Sequence, residues 1–440
     1  MSSKQFLLEE CSNVKALLEN TLRHDYGIES SQPFFDECSA RLDFLRNEIG
    51  DTVATDVSML RTLGGYLSDL AGLICRIERS SLGEYSWPFV EEFKNIASAI
   101  CLESTIEGDD IAPQIYTFAE GGLSSYAIYT EHIRPSFCKK RLLTIVFPKA
   151  LKNFVLLHTI LGHELGHAIW QVSRHQRRLK DTVIDPHLHR ENGPLQNPLA
   201  TAEWLYSDNA PAEFKAYLMA QFPRLDQSTI FKHVNWPAWV EEILCDLIGL
   251  VIFGPGFVAA HSRLLYTVDP SGLSLGPSHP PVAWRVNMVL AGAKLLEYNK
   301  FPCLCGPARV QLNQFWQYLD GFKRPEPWFD FLSGDPLLEA LRGIKAILKE
   351  SPLASYPIPT NECMEGLITK LNNFRPPIGH TIAKDSLPKS VDVDFRHIIY
   401  AGWIATQPDN HMSFGLINQL CEHAIMQQLA IRLSLKTDRK

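Results

Sequence analysis

Apolar residues recur with a period near 3.6 over much of the chain, and that spacing predicts helices. Phe6, Leu7, Val14, Leu17 and Leu18 open one apolar stripe, and segments 60–79 and 87–102 carry others, so positions from about 5 to 105 read as helical. Strand-like segments follow at 113–119, 125–130 and 142–147, the first two separated by the turn residues Gly121 and Gly122. Segment 156–170, LLHTILGHELGHAIW, returns to helical spacing, with Leu156, Leu157, Ile160, Leu161, Leu165, Ala168 and Ile169 surrounding three polar side chains. Between 171 and 235 the chain is polar and carries Pro186, Pro194 and Pro198, the composition of a lid or specificity loop. A second strongly apolar helix is predicted from Trp239 to Val251, and the run 247–260 is too short to span a membrane and is broken at Gly254, Pro255 and Gly256. From about 308 the pattern is helical again, with proline-rich breaks near 325–327, 352–359 and 376–377, and amphipathic helices at 395–406 and 413–435.

The polar trio inside 156–170 is chemically specific. His163, Glu164 and His167 form an HExxH motif, which is expected by chance only about 0.03 times in a chain with 15 histidines. On a helix, residues four apart differ by about 40° around the axis, so His163 and His167 can offer imidazole nitrogens to one ion. Zinc lowers the pKa of a coordinated water to roughly 7, and a carboxylate beside that water can take its proton. Glu164 has the position of that base. Gly162 and Gly166 each cost about 1 kcal/mol in a helix interior relative to alanine, and their spacing makes a bare strip where another backbone can approach.

A catalytic zinc site wants three protein ligands and one open position. The HExxHxxGxxH solution is excluded, because Trp170 and Ser173 stand where it needs Gly and His. A glutamate on a second helix, followed four residues later by an aspartate that orients a ligand histidine, is the other solution. Glu242 and Asp246 supply it, one turn apart in an otherwise apolar helix, where unpartnered carboxylates would be costly. Glu241 is the rival ligand, but the residue four beyond it is Cys245, which favours Glu242.

These residues resemble the gluzincin superfamily of zinc metallopeptidases, which share HExxH and a downstream ExxxD. Ser278, His279, Pro280 and Pro281, followed by Arg285, look like the HP…R element of the CAAX-prenyl-protease-like branch, although that branch is embedded in membrane. The likeness covers roughly 140–290. It implies one Zn2+ per chain on His163, His167 and Glu242, with Asp246 orienting a ligand. It also implies that Glu164 acts as base and that His279, with Arg285 behind it, steadies an oxyanion. It further implies a small antiparallel sheet leading into the HExxH helix, with an edge open to a peptide strand.

Composition narrows the setting. A net charge of −7 argues against a nucleic-acid surface, and the only locally basic stretch, RHQRRLK at 174–180, suits the dipole at the end of the HExxH helix. The alternative reading of that basic stretch is recognition of an anionic substrate. The ten cysteines are dispersed, with Cys303 and Cys305 the only close pair, and the N-terminal residues lack an uninterrupted apolar signal core, so a cytoplasmic location is expected. His187 and His189 form an HxH pair that would need further ligands to hold a metal.

The sequence therefore predicts a mainly α (α+β) protein with a zincin-like core. Its expected divisions are an N-terminal helical region at 1–110, a catalytic core at 111–300 with a 171–235 insertion, and a C-terminal helical region at 301–440. The expected activity is zinc-dependent hydrolysis of a polypeptide substrate, gated by a regulatory protein or ligand, with no nucleic-acid partner and no membrane span. The competing readings are a zinc-containing interaction module and a zinc hydrolase of a non-peptide amide.

Overall fold

The computed structural model describes residues 3–22, 32–78, 86–104, 110–120, 126–130, 140–151, 153–172, 175–188, 208, 212–221, 233–323, 332–349, 354–379, 393–407 and 412–437. The chain divides into two compact units, one within Met1–Trp87 and Cys101–Lys152, the other within Pro88–Ile100 and Asn153–Lys440.

In the first unit, helices α1 (Ser3–Leu22), α2 (Gln32–Asp51) and α3 (Val57–Glu78) pack against strands β3 (Gln114–Glu120) and β5 (Leu142–Pro148). The short strands β1 (Glu103–Ser104) and β2 (Asp110–Ile111) form their own antiparallel pair. Tyr116, Phe118, Leu142 and Val146 join Phe34, Phe35, Leu42 and Leu63 in one core, and this burial assigns the strands to the N-terminal helices. The expected boundary near 110 is therefore not a boundary between these units.

The sheet is mixed where a purely antiparallel one was expected. β4 (Ala127–Thr130) pairs antiparallel with β5, but β3 pairs parallel with β5, giving the order β3-β5-β4. Every residue of β5 is buried, as suits a strand covered on both faces and taking the centre. That leaves β3 and β4 unpaired with each other, although Gly121 and Gly122 suggested a turn between them; those glycines lie outside the described residues.

The second unit is helical among its described residues. Helix α4 (Trp87–Ile100) opens it, and a buried 3-10 turn (Val155–Ile160) runs into α5 (Leu161–Val172), which carries the HExxH residues. α6 (Gln176–Leu179) continues as a π-helix over Lys180–Leu188, and α7 spans Ala212–Gln221. These helical pieces fall in the segment expected as a lid or loop. α8 (Trp236–Phe253) starts with Asn235 accepting a hydrogen bond from the Ala238 amide and with proline in its first turn. It ends at Gly254, whose φ of 59° favours glycine, and Pro255 opens α9 (Pro255–Val268).

α10 (Val282–Leu295), α11 (Gly306–Asp320), α12 (Gly334–Leu348) and α13 (Asn361–Asn372) follow. α14 (Phe395–Ala405) is buried along its whole length, so it is a core helix where an amphipathic one was expected, and α15 (Phe414–Thr437) packs beside it. The Trp403 indole donates to the Leu156 carbonyl at 3.0 Å and the Asn418 side chain accepts from the Leu156 amide at 3.0 Å. Those bonds tie α14 and α15 to the turn leading into α5, so the expected boundary near 300 does not separate compact units. No helix among the described residues is long and apolar enough to cross a membrane.

Candidate metal centre

Two helices build the site, and glycines set how closely they approach. A Cβ on Gly166 would sit 2.7 Å from the Cys245 Cα, and one on Gly162 would sit 3.0 Å from the Gly249 Cα. Real Cβ atoms essentially never come within 2.7 Å of backbone and seldom as close as 3.0 Å, so the bare strip read from the sequence is where α8 lies against α5. That approach brings Glu242 and Asp246 to His163 and His167.

The imidazoles are fixed from behind by carboxylates. His163 Nδ1 lies 2.8 Å from Asp246 Oδ1, and His167 Nδ1 lies 2.8 Å from Glu241 Oε1. A nitrogen facing a carboxylate at that distance carries the proton, so each Nδ1 donates and each Nε2 turns inward. The two Nε2 atoms are 3.2 Å apart. Glu242 completes the group, with Oε2 3.4 Å from His163 Nε2 and Oε1 3.4 Å from His167 Nε2. Glu241, the rival ligand of the sequence reading, is instead the acceptor behind His167. A pattern that asks for one acid per ligand set could not have shown that both neighbours are used.

Asp246 is the hub of a buried network. Its side chain is fully buried and also accepts from His261 Nε2 at 2.8 Å and from Arg285 Nε and Nη2 at 2.7 and 2.8 Å. Burial opposes a charge here, but Arg285, His261 and His163 outweigh it and hold the carboxyl well below the usual range. His261 was not legible from the sequence, because a lone histidine in the apolar α9 has no spacing rule linking it to α8. Its one signal is the general cost of burying a polar ring without a partner.

Arg285 is only 5% exposed and also reaches Glu242 Oε2 at 3.2 Å. Its guanidinium is committed to the two carboxylates, which makes it a positioning residue where the resemblance implied a place behind an oxyanion. His279 has the more open place. Its Nε2 lies 3.4 Å from Glu242 Oε1, its Nδ1 pairs with the Ser278 hydroxyl at 2.9 Å, and its side chain is 60% exposed. Glu164 makes no hydrogen bond or ion pair among the described residues; burial raises its carboxyl above the usual range, with His163 and His167 opposing. Of the HxH pair, His187 lies in the π-helix and His189 lies outside the described residues.

The donor set fits a small cation. Among the described residues, His163, His167 and Glu242 form a group whose ligand atoms all lie within 4.8 Å of one another. A tetrahedral zinc with bonds of about 2.0–2.1 Å has ligand-to-ligand edges of about 3.3 Å, close to the 3.2 and 3.4 Å separations found. A single proton shared between the two Nε2 atoms would satisfy the nitrogens. It would still leave the buried Glu242 Oε2 with no hydrogen bond of acceptable geometry and only the Arg285 ion pair at 3.2 Å. A cation at the centre satisfies all three. Three donors leave a tetrahedral ion one open position, the arrangement of a catalytic site. Compared with protein-family models, curated proteins and solved structures, the chain matches none.

Proposed function

We propose that this chain is a zinc-dependent peptidase of the gluzincin type, acting on a polypeptide substrate. The observation that carries the reading is the pairing of three convergent donors with an unengaged Glu164 carboxylate on the same helix. A purely structural zinc site closes with a fourth ligand and has no use for a base. His163, His167 and Glu242 would hold the ion, which when bound supplies a Lewis acid and lowers the pKa of water to about 7.

Glu164 accepts the proton of the attacking water and later returns it to the leaving amine. His279, whose side chain is 60% exposed and whose pKa is lowered by partial burial and the neighbouring Arg285, can donate to the oxygen on which charge develops. Asp246, Glu241 and Arg285 keep the ligand side chains in register. Glu164→Gln should retain metal while losing turnover of a quenched-fluorescent peptide library by about 10²-fold or more. Equal turnover by the variant would end the proposal.

A further inference from the structure

A cavity of about 920 Å³ opens at the His167 side of this site. Trp170, one turn beyond His167 on α5, forms one wall, and Trp236 and Val240 from the start of α8 form another. Glu241 lines the cavity and is the same residue that accepts from His167 Nδ1, so the cavity and the donor set share a wall. The third wall comes from α6 and the π-helix, with Ile184 apolar and Arg177 and Lys180 presenting cations. Its volume lies near the top of the ligand-pocket range of about 300–1,000 Å³.

The two cations decide what the cavity can take. Lys180 makes no ion pair among the described residues. Arg177 Nε lies 3.8 Å from Asp181 Oδ2, but both side chains are well exposed, and such a pair is worth little in water. The one acid on the lining, Glu241, is already engaged by His167. A purely apolar ligand would leave Lys180 without a counter-charge and Arg177 with only its weak, exposed Asp181 pair, and a basic ligand would be repelled. An apolar side chain carried beside a carboxylate satisfies the aromatic walls and the cations together.

We infer that this cavity is a specificity subsite for a peptide segment that presents a bulky apolar side chain with a carboxylate within one residue of it. The carboxylate comes either from a chain end or from an adjacent acidic side chain. The peptide origin of the ligand rests on the peptidase reading above; the chemistry of the subsite does not.

The test uses full-length Glu164→Gln protein and four fluorescein-labelled peptides read by fluorescence anisotropy. They are Gly-Gly-Phe as free acid, Gly-Gly-Phe amide, Gly-Gly-Phe-Glu amide and Gly-Gly-Phe-Lys amide. The free acid or the Glu peptide, or both, should bind at least about tenfold tighter than the plain amide and the Lys peptide, and the advantage should shrink with added salt. The stronger of the two acidic peptides identifies the source of the carboxylate. Lys180→Glu, at an exposed position where folding is safe, should abolish the advantage, and Val240→Trp should weaken all four by about tenfold by filling the cavity. Equal binding of the four peptides, no binding, or a preference unchanged in Lys180→Glu overturns the subsite. Cleavage by the wild type without charge preference removes the subsite and leaves the peptidase; charge-selective binding without any cleavage does the reverse.

Discussion

At the scale of single residues, Asp246 carries the heaviest duty. One carboxylate accepts from His163, His261 and Arg285, and each of those groups is itself buried. His261→Phe keeps the ring volume and the contact with Phe257 but removes one donor to Asp246. Because Arg285 still holds that carboxylate with two bonds, the variant should fold, lose about 1–3 kcal/mol of stability and bind zinc about tenfold more weakly. Competition against a chelating dye reads the affinity, and unchanged affinity would show that His261 has no part in orienting the site. The contrast with His163 and Glu242 shows what a sequence can carry. Candidate ligands on two helices obey spacing rules that chemistry imposes, so His163, Glu164, His167, Glu242 and Asp246 were legible as a set. His261 and Arg285 reach Asp246 only through tertiary packing of α9 and α10, and the direction of Arg285 depends on burial that spacing does not encode.

At the scale of elements, the approach of α5 and α8 depends on missing side chains. Gly166→Ala should gain up to about 1 kcal/mol in helix propensity, but its Cβ would meet a backbone Cα at 2.7 Å. Overpacking costs about 1–3 kcal/mol or more and wins, because the backbone of a buried helix cannot swing aside as a side chain can. Gly366 in α13 has nothing within 4 Å of an added Cβ, so Gly366→Ala should stabilise by about 0.5–1 kcal/mol. Urea unfolding of the two variants should give opposite signs; the same sign would mean that the glycine strip does not set the helix spacing. The strip was readable in advance because unfavourable residues in a helix interior ask for a reason. Strand order was not, since β3 and β4 are chosen as partners of β5 by burial on both its faces, and a local Gly-Gly signal says nothing of a distant strand.

At the scale of the second unit, the C-terminal helices and the site helices are joined by a charged tie. Arg396, 2% exposed, donates to both Asp394 oxygens at 2.8 and 2.7 Å and to the Ile252 carbonyl near the end of α8 at 2.8 Å. Burial pushes the Asp394 carboxyl up, but the Arg396 guanidinium outweighs it and holds the pKa below its usual value. With a folded pKa below the unfolded value of about 3.9, this pair stabilises fully above about pH 4. The contribution is lost as pH falls through the folded value. Asp394 also caps α14 by accepting from the Arg396 amide, and Asp394→Asn keeps that capping oxygen while removing the charge, so it should cost about 1.5–3 kcal/mol at pH 7 and progressively less below pH 4. A cost that stays constant with pH would show that the charge is not what matters.

Everything proposed for the site requires His163, His167 and Glu242 to hold one metal ion. Metal content of the purified chain, resupplied with zinc, is to be compared with that of Glu242→Ala, with circular dichroism confirming that the variant is folded. About one zinc per chain is expected in the wild type and none in the variant, since two imidazoles alone do not make a catalytic zinc set. Absence of zinc from the wild type after resupply, or full retention by the folded variant, would contradict that requirement.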